Sequence, residues 1–288
     1  MGLLVAAIIT TLLSGAIVGT IVFWGRSAAD RRLMLVILLA NLPLSALTFH
    51  GVRLPLDGWL AKVLVDHQSL LTAVRLCYAP LTEEPGKLLV LLVPFVWQRV
   101  TRANLVQVAL AIGLGFGIGE AWMLAERLSA KPDVAALPWY ALQGFIMERT
   151  LVCLTHAAFT SLALLGVVQR RWLPAAGGMA LAMAFHFTAN FPIWLAGIDL
   201  FGIGKQGWTI VLACWVQALV VVSVLWLCRL ADWSLAHILL RYRVRCPECG
   251  MVYKPPLMAI NMLDRRYEKC TGCRKWHFIT VKEHLPRE

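Results

Sequence analysis

The chain has 288 residues, 59% of them hydrophobic and 15% charged, with a mean hydropathy of +0.71. A water-soluble domain of this size carries about 25% charged residues, so the composition excludes an ordinary soluble protein and predicts an integral membrane protein in a lipid bilayer. The net charge of +11 does not call for nucleic acid: Lys and Arg cluster between apolar runs and in the tail, as charge asymmetry across a membrane requires, and no nucleic-acid partner is expected.

The first 24 residues, MGLLVAAIITTLLSGAIVGTIVFW, lack the basic n-region of a signal peptide and read as a retained transmembrane helix. Ala6 breaks the myristoylation pattern. Runs long enough to span a bilayer follow, seven in all: 2–24, 33–50, 68–97, 103–126, 139–168, 172–197 and 207–229. Residues 54–67 are amphipathic and predict a segment lying at the interface. The third run contains Pro80 and Pro85, which remove backbone donors and favour a kink or a broken helix. Cys77, Cys153, Cys214 and Cys228 lie singly in apolar segments and read as small buried hydrophobes.

Every second loop is basic: Arg26, Arg31 and Arg32; Arg99 and Arg102; Arg170 and Arg171; then Arg229, Arg241, Arg243 and Arg245. Those loops are expected to face the cytoplasm, with the amino terminus outside and the tail inside, an arrangement suited to a bacterial inner membrane. The expected architecture is an all-α polytopic membrane helix bundle of about seven transmembrane helices, residues 1–235, followed by a small cytoplasmic zinc-ribbon module, residues 241–288.

Within the apolar runs stand Glu83, Glu84, Glu120, His156 and His186. An ionisable group at the bilayer centre costs roughly 2.5–3.5 kcal/mol on insertion scales, which makes each a functional-site hypothesis. Counted from the basic ends of their spans, these residues and Asn190 lie about 12–18 residues in, one slab roughly 18–27 Å deep at the helical rise. Lys87 follows Glu83 by four residues and Arg149 precedes His156 by seven; a Glu83–Lys87 pair that neutralises itself is the plainest alternative. His186 and Asn190 share a helix face. Gly113/Gly117 and Gly115/Gly119 are small-xxx-small pairs, read as helix-packing positions that bring Glu120 close to its neighbours.

No serine or cysteine nucleophile sits in a recognisable motif and no HExxH pattern is present. A Glu with a His can activate water, and a second His with an Asn can donate to an oxyanion. Glu83 is the expected base, Glu84 and Glu120 its support, His156 the water-positioning or ligating group, and His186 with Asn190 the oxyanion donors. Glu and His are also zinc ligands, so a catalytic divalent metal in the membrane site is the competing mechanism.

The motifs TEEPGK, GFGIGE, R-x6-H with a following FTS, and H-x3-N together resemble the PrsW family of intramembrane proteases, relatives of the CAAX-prenyl proteases, over roughly residues 70–195. The resemblance implies an intramembrane endopeptidase acting on a membrane-protein or peptide substrate. Glu83 and Glu84 correspond to the paired active-site glutamates, Glu120 to the second-motif glutamate, and His156 and His186 to the later histidines. The spacing of Asn190 from His186 is closer to the CAAX-protease pattern. Ala121 follows Glu120 where the family often has Asn. The family is often catalogued as metalloproteases, whereas its CAAX relatives are argued to be metal-independent glutamate enzymes. Two other functions fit the residues: a non-catalytic scaffold or immunity-type protein, and a proton-coupled transporter, against which stands the lack of an internal repeat.

In the tail, Cys246-x2-Cys249-x20-Cys270-x2-Cys273 has the spacing of a zinc ribbon. Four thiolates from two CxxC knuckles make a tetrahedral structural site, and metal would supply the folding energy that so short a segment lacks. Two disulfides and a rubredoxin-like iron site are the alternatives.

Overall fold

The computed structural model describes residues 1–232, 242–280 and 284–286; Arg241 and the expected domain junction at 235–241 lie outside the described residues. The chain forms two compact units, Met1–Ser223 and Val224–Glu288. The main helices in chain order are α1 (Gly2–Phe23), α2 (Ala28–Val63), α3 (Gln68–Lys87), α4 (Pro94–Arg99), α5 (Arg102–Ser129), α6 (Trp139–Val167), α7 (Trp172–Gly197) and α8 (Gly204–Leu230).

Among the described residues, six helices are long and apolar enough to cross a membrane, not the seven expected. The difference is the run at 68–97. Its helix α3 carries Arg75, Glu83, Glu84 and Lys87, too many charges for a lipid-facing span. The chain leaves α-helix after Lys87, makes a 3-10 turn over Leu88–Leu92, and extends at Val93, because Pro94 disfavours helical conformation in the residue before it. Pro80 and Pro85 both lie inside α3, so the break follows the glutamates instead of separating them. Of residues 54–67, expected as an interfacial segment, Leu54–Val63 continue α2 through a π-helical turn at Phe49–Arg53.

Local signals set the helix starts. Ser27 caps α2 by accepting from the Asp30 backbone N–H at 3.1 Å, and Asp30 adds a favourable charge in the first turn. Thr101 and Asn104 form a capping box at the start of α5. Arg170 ends α6 with φ 56°; its guanidinium donates to the carbonyls of Trp97 at 2.8 Å and Val100 at 3.1 Å.

The core is the pair α5 and α6, each mostly buried. Glycine makes that possible on two sides of α5. A Cβ at Gly113 would lie 2.5 Å from the Ala157 backbone N, and one at Gly117 would lie 2.7 Å from Cys153 Sγ, both on α6. A Cβ at Gly115 or Gly119 would lie 2.3 Å from Leu38 O or 2.0 Å from Leu42 O, both on α2. The two small-xxx-small pairs are therefore packing faces, as expected, but for two different helices. Of the lone cysteines only Cys153 is buried; Cys77 and Cys214 are exposed on the outside of the bundle and Cys228 is half-buried.

The second unit holds two three-stranded antiparallel sheets. Strands β1 (Tyr242–Arg245), β2 (Val252–Tyr253) and β6 (His284–Pro286) form one in the order β2-β1-β6; β3 (Ile260–Asn261), β4 (Arg265–Lys269) and β5 (Trp276–Thr280) form the other in the order β3-β4-β5. Val244, Tyr253, Ile279, Cys246 and Cys270 make its small core. Beside it Tyr253 donates to Glu268 at 2.8 Å, and His277 Nε2 lies 3.0 Å from the same hydroxyl. Burial pushes the Glu268 carboxyl up, against the lowering pull of Tyr253 and Arg266.

Candidate functional site

The structure brings the five ionisable residues together inside the helical unit. Glu83 and Glu84 come from α3, Glu120 from α5, His156 from α6 and His186 from α7. Glu84 Oε1 lies 2.6 Å from His186 Nδ1 and 2.6 Å from Lys87 Nζ. Glu120 Oε2 lies 3.0 Å from His156 Nε2 and 2.9 Å from Arg149 Nη1. Two carboxylate–imidazole pairs result, their rings 6.0 Å apart between centroids. Phe159 stacks on His186, and Phe116 meets His156 edge-on.

Adjacent glutamates point about 100° apart on a helix, and here they divide the work. Glu84 is 1% exposed and faces the packed interior. Glu83 lines a cavity of about 480 Å³ together with Glu120, His186 and Asn190. Its Oε1 accepts from Arg53, while its Oε2 is buried without a hydrogen-bond partner, 3.8 Å from His186 Nε2. Asn190, one turn from His186, lines this cavity and a smaller one of about 80 Å³ that reaches His156 and Glu148.

The alternative pairing of Glu83 with Lys87 is not the one that forms. Lys87 pairs with Glu84 at i,i+3, not with Glu83. The partner of Glu83 is Arg53, the last residue of the π-helical turn in α2, 30 positions away and invisible to helical periodicity. A π-turn widens the helix by one residue per turn and often marks a functional position. Arg149 stands two turns before His156, as the sequence indicated, but it donates from Nη1 to Glu120 and from the Nε–Nη2 edge to both oxygens of Glu148.

Comparison with known protein families, curated proteins and solved structures finds no match.

In the tail, Cys246, Cys249, Cys270 and Cys273 place their sulfurs within 4.8 Å of one another. The Cys246–Cys273 and Cys249–Cys270 sulfur separations are 3.7 Å and 3.9 Å, far from the roughly 2.05 Å of a disulfide and near the ~3.8 Å edge of a tetrahedron with 2.3 Å zinc–sulfur bonds. Backbone N–H groups of Cys249 and Gly272 point at Cys246 and Cys270 Sγ at 3.5 Å and 3.3 Å. The backbone N–H of Met251 and then Cys246 lower the Cys249 thiol to about 7, while at Cys273 the Lys275 backbone N–H pulls down but burial and the neighbouring sulfurs raise the thiol to about 11; a bound metal ion would displace the protons that the crowded thiols retain. The donor set fits one tetrahedral metal ion. No other group of three or more His, Cys, Asp or Glu ligands converges in this way among the described residues.

The two knuckles are near copies. Gly250 N–H donates to Cys246 O at 3.0 Å and Arg274 N–H to Cys270 O at 3.1 Å; Cys246 N–H donates to Met251 O and Cys270 N–H to Lys275 O. Gly250 and Arg274 hold the same left-handed position, at φ 72° and 60°.

Proposed function

We propose that the helical unit is an intramembrane endopeptidase of the PrsW type, which hydrolyses a peptide bond of a membrane protein by directly activated water. The observation that carries the reading is Glu83 Oε2, a buried, unpartnered carboxylate oxygen of a cavity-lining residue, beside an imidazole held by a second carboxylate. A hydrogen bond from Nδ1–H to Glu84 fixes the ring and its tautomer, so Nε2 is the atom left for proton traffic. Glu83 takes a proton from water, the resulting oxygen attacks the scissile carbonyl carbon, and His186 Nε2 relays the proton to the leaving nitrogen as the C–N bond breaks. Asn190 donates to the oxyanion. The Glu120–His156 pair, anchored by Arg149, positions water from the opposite wall.

A metal-independent mechanism is favoured over a metal hydroxide, because Glu83, Glu84 and Glu120 are each engaged by a cation, Arg53, Lys87 and Arg149, and their oxygens do not converge with the imidazoles as the tail thiols do. The same pairing favours a second reading, in which the polar cluster only holds the bundle together as a scaffold. In the first reading the membrane is a bacterial inner membrane, and the tail carries zinc on its cytoplasmic side.

The deciding experiment maps new amino-terminal peptides in membranes of cells carrying the wild type or Glu83→Gln at equal abundance. Termini near membrane spans that vanish in the variant are expected. Identical peptide sets with intact physiological function in the variant would establish the scaffold.

A further inference from the structure

The cavity is more basic than its chemistry requires. Four guanidinium groups line it, from Arg53, Arg75, Arg127 and Arg149, against two carboxylates, Glu83 and Glu120. Three of the four have acidic partners: Arg53 has Glu83, Arg75 has Asp57 at 2.8 Å, and Arg149 has Glu120. Arg127, among the described residues, has no carboxylate within ion-pair distance. It lies over the Phe49 ring, 4.2 Å from the centroid, and Arg53 lies over the same ring at 5.6 Å. The aromatic quadrupole offsets part of the repulsion between two such cations, but it does not neutralise either.

Arg127 and Arg75 are the exposed members, so they mark the mouth, while Glu83 and His186 mark the floor. Arginine presents a planar fork that takes a carboxylate bidentately and stacks on aromatic rings at the same time. We infer that this mouth is a subsite for one carboxylate of the bound polypeptide, with Arg127 as the residue that reads it and Arg53 and Arg75 beside it. The inference rests on the peptidase reading: a segment whose scissile bond lies at Glu83 and His186 runs its neighbouring residues through the same cavity. That continuity favours an acidic residue of a peptide over a lipid headgroup.

The test uses the full chain in phosphatidylcholine nanodiscs, with empty discs subtracted. Two BODIPY-labelled apolar hexapeptides, one with a central Glu and one with Gln in its place, are titrated and followed by anisotropy. The Glu peptide should bind about tenfold more tightly, the difference one charge-assisted contact makes. Arg127→Gln should remove that preference without weakening the Gln peptide, and Arg127→Lys should restore only part of it. Equal affinities in the wild type, or equal weakening of both peptides in Arg127→Gln, would overturn the inference. So would loss of the preference on adding phosphatidylglycerol, which would identify a lipid-headgroup site. Binding is read without turnover, so an absence of cleavage condemns the peptidase reading alone, whereas cleavage indifferent to the acidic residue condemns this inference alone.

Discussion

Lys87 Nζ rests 2.6 Å from Glu84 Oε1 with both side chains sealed from solvent, at 0% and 1% exposure. Removing one member of a buried pair strands the other charge, at a cost of about 3–5 kcal/mol, while removing both is far milder. Lys87→Met should therefore lower the unfolding midpoint of the purified protein sharply, and Lys87→Met with Glu84→Met should recover most of it. Cleavage should stay lost in the double variant, since His186 then has no carboxylate at Nδ1. A double variant as unstable as the single would show that the pair does not carry this charge balance.

Glycine substitutions along α5 should differ by what the new methyl meets. At Gly119 the obstacle is the Leu42 carbonyl, which belongs to the backbone; at Gly117 it is the Cys153 sulfur, which can rotate. Gly119→Ala should destabilise by about 1–3 kcal/mol, and Gly117→Ala by less. Thermal unfolding in detergent ranks the two, and the reverse order would refute the packing assignment.

The full chain should bind one zinc ion through the tail thiols. Elemental analysis should find that ion lost in Cys270→Ser with Cys273→Ser. Metal that persists in that variant and disappears only with His156→Ala would place an ion in the membrane site and overturn the direct-water mechanism.

Arg274 occupies a left-handed position that its twin knuckle gives to Gly250. Such a conformation costs a residue with a Cβ roughly 1–2 kcal/mol, so Arg274→Gly should slow chelator removal of the tail metal and Gly250→Ala should hasten it, by about fivefold each for 1 kcal/mol. Competition with a colorimetric chelator measures both rates.

Much of this was legible in the sequence. Glu83, Glu84, Glu120, His156 and His186 announced themselves as charges in apolar runs, and the two CxxC pairs by their spacing. The cations were not legible, because ion pairing across helices has no sequence period: Arg53 falls outside every apolar run, and Lys87 fitted Glu83 by the i,i+4 rule yet turned to Glu84, whose second contact is His186. The helix count failed at α3 for a related reason. A hydropathy run tolerates four charged residues when leucines surround them, whereas a helix that buries Glu83, Glu84 and Lys87 against its neighbours and turns Arg75 to a cavity mouth is no longer a lipid-facing span.

Gly113, Gly115, Gly117 and Gly119 alternate with Leu114, Phe116 and Ile118. A turn of α5 about its own axis by one residue would drive a leucine, a phenylalanine or an isoleucine into a seam where not even a methyl fits. The azimuth of the helix is thus keyed like a shaft in a slot, and Glu120 is the next residue along it. The direction in which that carboxylate points, and with it the reach of His156 and Arg149, is set by four missing side chains.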